Sequence, residues 1–162
     1  KSVALPTQLF FLFQRAKQLE ALRQTDMFKP VQVSDFLIEK DKLFASVTLD
    51  DDELALYHQV YDRLTLDSPV PDLVIYLQAP IDILMQRIIE RGHDYERPIN
   101  RSYLKKISEA YVEFFYHYTT APLLIVNTND FDLSGNDSDY NLLLEHISHL
   151  PPGRHYFNPI EL

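Results

Sequence analysis

The chain has 162 residues, 46% of them hydrophobic, a net charge of −9 and no cysteine, which suits one domain with a proper core rather than two. The acidic balance argues against nucleic acid as a partner, and the lack of cysteine excludes disulfides, thiol nucleophiles and thiolate metal sites. No apolar run spans a bilayer and no signal-peptide pattern opens the chain, so no membrane partner and a cytoplasmic location are expected.

From Pro6 to Gln24 the apolar residues Leu9, Leu12, Phe13, Ala16, Leu19 and Leu22 recur at helical spacing, with Pro6 suited to the first turn. Val31 to Val33 reads as a short strand leading into Ser34-Asp35-Phe36. Asp50-Asp51-Asp52-Glu53 opens a helix to about Leu64, because acids favour the positive end of the helix dipole. The same acids lack the spacing of a calcium loop. Leu54, Leu56, Tyr57, Val60, Tyr61 and Leu64 supply that helix with a packed face.

Leu73 to Leu77, between Pro71-Asp72 and Pro80, predicts a buried parallel strand. A helix follows over Ile81 to Arg91, with Ile81, Leu84 and Ile88 on one face and Gly92 as its left-handed stop. Arg87 and Arg91, four residues apart, share a face at its C-terminal end. With Glu96 in the polar loop beyond, they suit a cationic lid over phosphates. They equally suit a plain role, complementing the negative end of the helix dipole.

A long helix is predicted from about Arg101 to Thr119, carrying Tyr103, Leu104, Ile107, Tyr111, Phe114 and Phe115. Leu123 to Val126 is the third buried strand, and Ser138 to Leu150 the last helix. His146, His149 and His155 do not specify a closed zinc set. The tail PPGRHYFNP carries no derivable function. Three short apolar strands alternating with amphipathic helices imply an α/β architecture around a parallel sheet.

The segments PDLVIYLQAP, RIIERGHDYE and YLKKISEAYVEFF resemble the deoxynucleoside kinase family, which includes the deoxyadenosine, deoxyguanosine and deoxycytidine kinases. Their order and spacing match over nearly the whole chain. The resemblance implies a P-loop kinase fold of five strands, one domain over 1–162 with a lid at about 87–100, and a homodimer to which the helix from Asp50 contributes. It implies transfer of the ATP γ-phosphoryl group to the 5′-hydroxyl of a deoxynucleoside, with Mg2+ as cofactor, and the spacing around Asp41 favours a purine.

The same resemblance implies individual roles. TQLFFLFQRAKQL is similar to the family's pocket helix, so Gln8 would pair with the base and Arg15 would belong to the pocket. IEKDKLFA is similar to the segment in which Phe44 would stack on the base and Asp41 would help to choose it. Arg87 and Arg91 would contact phosphates, and Glu96 the sugar 3′-hydroxyl. Asn129, Asp130 and Phe131 would lie against the adenine of ATP, and Asp35 near the magnesium ion.

The chain departs from the pattern in three places. Phe36 stands where an arginine is expected, which removes a cation, and His93 stands in place of a third lid arginine. The only glycines are Gly92, Gly135 and Gly153, so the phosphate loop G-x-x-x-x-G-K-S/T is missing. The expectation is that the first strand, phosphate loop, first helix, second strand and general base lie outside this chain. Two rival readings follow: a thymidylate-type nucleotide kinase, which Phe36 argues against, and a non-catalytic nucleoside-binding or dimerisation module.

Overall fold

The computed structural model describes residues 3–23, 31–65, 67–93, 99–131, 133 and 135–158. They form six helices and three strands in the order α1 (Ala4–Arg23), α2 (Lys40–Thr48), α3 (Asp51–Leu64), β1 (Val74–Gln78), α4 (Ile81–Arg91), α5 (Arg101–His117), β2 (Leu123–Asn127), α6 (Asp137–Ser148) and β3 (Arg154–Phe157). The chain divides into two compact units, Lys1–Val70 with Lys106–Tyr116, and Pro71–Lys105 with His117–Leu162.

The first unit is helical. Pro6 falls in the opening turn of α1, where a missing N–H costs nothing. The apolar stripe of α1 buries Leu12 and Leu19 against Ile38, Ala45, Tyr57 and Tyr61. Each such side chain contributes about 1.5–3 kcal/mol on leaving water. The acids before α3 act as its cap, because the Asp50 carboxylate accepts from the Glu53 backbone N–H at 2.9 Å. Tyr57 and Tyr61 are buried, so the aromatic side of α3 faces the core of its unit.

Helix α2 was not expected from the pattern. It has no side-chain cap and only nine residues, too few for a clear helical period. Tertiary packing of Leu43 and Ala45 holds it. The strand expected at Val31–Val33 is absent: the segment is irregular, with Val31 76% and Val33 90% exposed. Alternating valines make a strand only beside a ladder partner. Beyond them Ser34 instead bonds its own neighbourhood, accepting from Phe36 N–H at 3.3 Å.

The second unit holds a parallel sheet in the order β1-β2-β3. The register pairs Val74 with Leu123 and Gln78 with Asn127, then Leu123 with Arg154 and Val126 with Phe157. Central β2 is buried at Leu123, Leu124 and Val126, and α6 packs over it through Leu143 and Ile147. Among the described residues β1 pairs with β2 alone; it is parallel, as expected, but only Val74 of it is buried, with Ile75 and Leu77 exposed. The third strand is β3, in the tail. Gly153, at φ +117°, turns the chain into it and its carbonyl accepts from Leu123 N–H at 2.9 Å.

Local signals place α4 and α6. Pro80 precedes α4 with extended backbone, and Gly92 ends it at φ +67°, a left-handed conformation that suits glycine. The Asn136 side chain caps α6 by accepting from Ser138 N–H. Among the described residues no helix is long and apolar enough to cross a membrane.

Candidate functional site

In the helical unit the central feature is an ion pair between Arg15 of α1 and Asp41 of α2. Asp41 is 1% exposed, one of two buried polar residues among those described. The Tyr57 hydroxyl of α3 donates to its second oxygen at 3.4 Å. A buried carboxylate needs such partners, since an unpaired charge in the interior is costly. Asp41 is therefore not a solvated surface acid, nor is Arg15 a free surface charge.

Burial lowers the Arg15 pKa, while Tyr57, Tyr111 and Asp35 act in the opposite direction. Burial also drives the Tyr57 phenol well above its ordinary value, with Arg15 opposing. Burial thus keeps the proton on Tyr57, whose hydroxyl is the donor to Asp41.

Gln8, two turns before Arg15 on α1, donates from Nε2 to Thr48 Oγ1 at 3.2 Å. Thr48 Oγ1 donates in turn to the Phe44 carbonyl at 2.7 Å. Phe44 meets Tyr111 of α5 edge-on, with ring centroids 6.0 Å apart. All four residues expected to contact the nucleoside within the described residues, Gln8, Arg15, Asp41 and Phe44, thus belong to one packed group of helices. Asp35 lies nearby on an open groove of ≈ 440 Å³ lined by α1 and residues 33–36.

In the sheet unit Arg87 of α4 donates to Thr128 Oγ1 at 3.0 Å and to the Thr128 carbonyl at 2.6 Å. Thr128 is buried at the C-terminal end of β2, and its N–H continues the ladder to the Gln78 carbonyl at 2.8 Å. Arg87 is thereby fixed at the carboxyl end of the sheet, the end at which open α/β folds bind ligands. Arg91, one turn on, is exposed. Glu96 falls outside the described residues.

The loop after β2 is ordered by its own side chains. Asn129 N–H donates to Asn127 Oδ1 at 3.0 Å, and Asn129 Nδ2 to Asp130 at 2.6 Å. Phe131 is buried against Phe157, so its ring serves the core and leaves only backbone groups for any ligand.

Four residues of these clusters escape sequence reasoning. Tyr57 and Tyr111 look like ordinary stripe residues, although a tyrosine at a core position needs a hydroxyl partner. Thr128 carries no distinguishing signal, and neither does Lys40, whose ammonium lies 5.5 Å from the Tyr111 ring centroid.

A parallel sheet packed by helices, with arginine held at its carboxyl end, makes an α/β fold suited to anionic ligands, and solved P-loop kinases share it. The deoxyadenosine kinase structure from M. mycoides with bound dATP superposes with a TM-score of 0.75 at 22% identity, covering 90% of this chain and 75% of that one; the form with bound dCTP gives 0.73, again at 22% identity, over 91% and 74%. A family model described as deoxynucleoside kinase matches residues 1–150, and the chain belongs to that family of ATP-dependent phosphotransferases. It is 34% identical over 156 residues to the deoxyguanosine kinase of Bacillus subtilis (strain 168), covering 93% of this chain and 75% of the relative. It is 26% identical over 129 residues to the deoxyadenosine kinase of Lactobacillus acidophilus, covering 71% and 60%. The chain thus spans between 60% and 75% of the length of these relatives.

Proposed function

We propose that this protein transfers the ATP γ-phosphoryl group to the 5′-hydroxyl of a purine deoxynucleoside. The observation that carries this reading is the pairing of half-buried Arg15 with buried Asp41, with Gln8 and Phe44 grouped around it. A buried ion pair is a poor way to gain stability, and it makes sense as a rigid polar wall for a ligand. The names of the relatives, deoxyguanosine and deoxyadenosine kinases, support a purine.

In this reading residues 1–162 belong to one kinase domain. Gln8 and Arg15 address the base, Asp41 helps to choose it by holding Arg15, Phe44 stacks on it and Glu96 holds the sugar 3′-hydroxyl. Arg87 and Arg91 face the phosphates, where positioning and charge neutralisation do most of the catalytic work. Backbone groups of Asn129, Asp130 and Phe131 lie along the adenine of ATP. The glycine-rich phosphate loop and the general base are supplied outside this chain, and two copies associate as a homodimer.

Magnesium supplies charge neutralisation on the phosphates when bound. Among the described residues no three His, Asp or Glu side chains gather to hold a metal, but Asp35 is an exposed carboxylate. One or two carboxylates with phosphate oxygens and water are the usual magnesium donors, so Asp35 fits as a single ligand.

The test is turnover of the four deoxynucleosides with Mg-ATP by the full-length protein. Phosphorylation of purine deoxynucleosides alone is expected. No turnover of any of them would overturn the kinase reading, and turnover of pyrimidines alone would overturn the purine assignment.

A further inference from the structure

The polar atoms around Arg15 are unequally committed. Asp41 has one oxygen engaged by Arg15 and the other by Tyr57, and it is buried, so it acts as a fixed counter-ion. Gln8 spends an N–H on Thr48, which leaves its carbonyl oxygen as an acceptor. Arg15 keeps the remaining N–H groups of its fork, and arginine has no acceptor.

Lys40 adds another pure donor to this group. It is the first residue of α2, one turn before Phe44, and its ammonium lies 5.5 Å from the centroid of the Tyr111 ring. The same ring meets Phe44 edge-on, so Lys40 and Phe44 share one aromatic neighbour. Among the described residues no carboxylate forms an ion pair with Lys40. Burial lowers its pKa, as does the neighbouring Arg15, while Asp35 opposes them. A half-buried cation set beside another cation, with an aromatic face in place of a carboxylate, is poorly satisfied by the protein alone.

We infer that Lys40 determines base specificity: with Arg15 it selects a 6-oxopurine over a 6-aminopurine. This inference rests on the nucleoside reading above. A 6-oxopurine offers two acceptors, O6 and N7, along one edge, whereas a 6-aminopurine offers N7 and a donor amino group. Two donor-only side chains match the first pattern, and they leave the amino group of the second facing a donor without a partner. The free Gln8 oxygen completes the match, because N1 of a 6-oxopurine carries a hydrogen and N1 of a 6-aminopurine does not.

The experiment is calorimetric titration of the full-length protein and its Lys40→Met and Lys40→Arg variants with 2′-deoxyguanosine, 2′-deoxyinosine and 2′-deoxyadenosine. The wild type is expected to bind both 6-oxopurines more tightly than deoxyadenosine. Lys40→Met keeps the apolar stem and is expected to weaken binding of the two 6-oxopurines by about tenfold or more, with deoxyadenosine changed by about twofold at most. Lys40→Arg is expected to retain the selectivity.

Equal weakening of all three nucleosides in Lys40→Met would assign Lys40 to packing and overturn the inference, leaving the nucleoside reading intact. A wild type that favours deoxyadenosine would overturn it too, whatever the variants' folding. A wild type that binds none of the three would sink the nucleoside reading, and the inference with it.

Discussion

The guanidinium of Arg87 reaches from α4 to the end of β2 and holds Thr128 twice, through its hydroxyl and its carbonyl. Thr128 is itself bonded to Gln78 at the end of β1. One arginine therefore ties a helix to the ends of two adjacent strands, at the place where phosphates are proposed to arrive. Replacing Arg87 by Ala is expected to lower kcat by about 10²–10³-fold, the size of a lost transition-state donor. Lysine should recover only part of this, since it cannot reproduce the paired donation. Steady-state kinetics with saturating nucleoside checks both; an unchanged kcat in Arg87→Ala would remove it from the phosphate site.

Asp41→Asn tests the buried pair. The amide keeps the volume but leaves the half-buried Arg15 charge without its counter-ion, at an expected cost of about 2 kcal/mol in urea unfolding. Arg15→Met in the Asp41→Asn background should cost less than the two single losses added, because each single variant leaves the other member unpaired. Strict additivity would mean that the two side chains are not coupled.

Tyr61 supplies a pH signature. Its phenol is pushed up to about 12, mainly by burial and then by Glu39, and Tyr57 moves in the same direction. A group whose folded pKa is raised gives its full stabilisation below the unfolded value near 10 and loses it as pH climbs through the folded value. Stability attributable to Tyr61, about 2–3 kcal/mol, should therefore be intact at neutral pH and disappear between pH 10 and 12. Urea midpoints across that range, with tyrosinate absorbance followed in parallel, check it. Tyr61→Phe should flatten the slope.

Gly92→Ala isolates a backbone effect. A Cβ at this position would meet only the Ile89 and Glu90 carbonyls at 3.9 Å, which is ordinary contact. The left-handed φ alone should then cost about 1–2 kcal/mol. A loss of that size in thermal unfolding is expected.

What could be read from the chain alone divides along the line between local and distant causes. Asp50 before α3, and Pro80 and Gly92 at the ends of α4, act on their immediate neighbours, so these helices were legible. Strands depend on partners. The valines at 31 and 33 look more like a strand than Arg154-His155-Tyr156-Phe157 does, yet only the latter lies beside an open edge of β2. Arg15 and Asp41 were reached through the family resemblance alone, since nothing in the residues between them hints at the pairing. Lys40 shows its character only once Tyr111, from a helix far along the chain, supplies the ring beneath it.

The lateness of β3 shapes how the chain is made. Both edges of β2 are covered by strands remote in sequence, β1 well before it and β3 only after the whole of α6. A ribosome delivers β2 with β1 already available, but one row of its N–H and C=O groups stays bare until residues 154–157 follow. Such an edge, on the most apolar strand of the sheet, is a template for pairing with other nascent chains. Four residues of the tail therefore act as a seal, and synthesis that stalls within α6 would release chains that stick to one another.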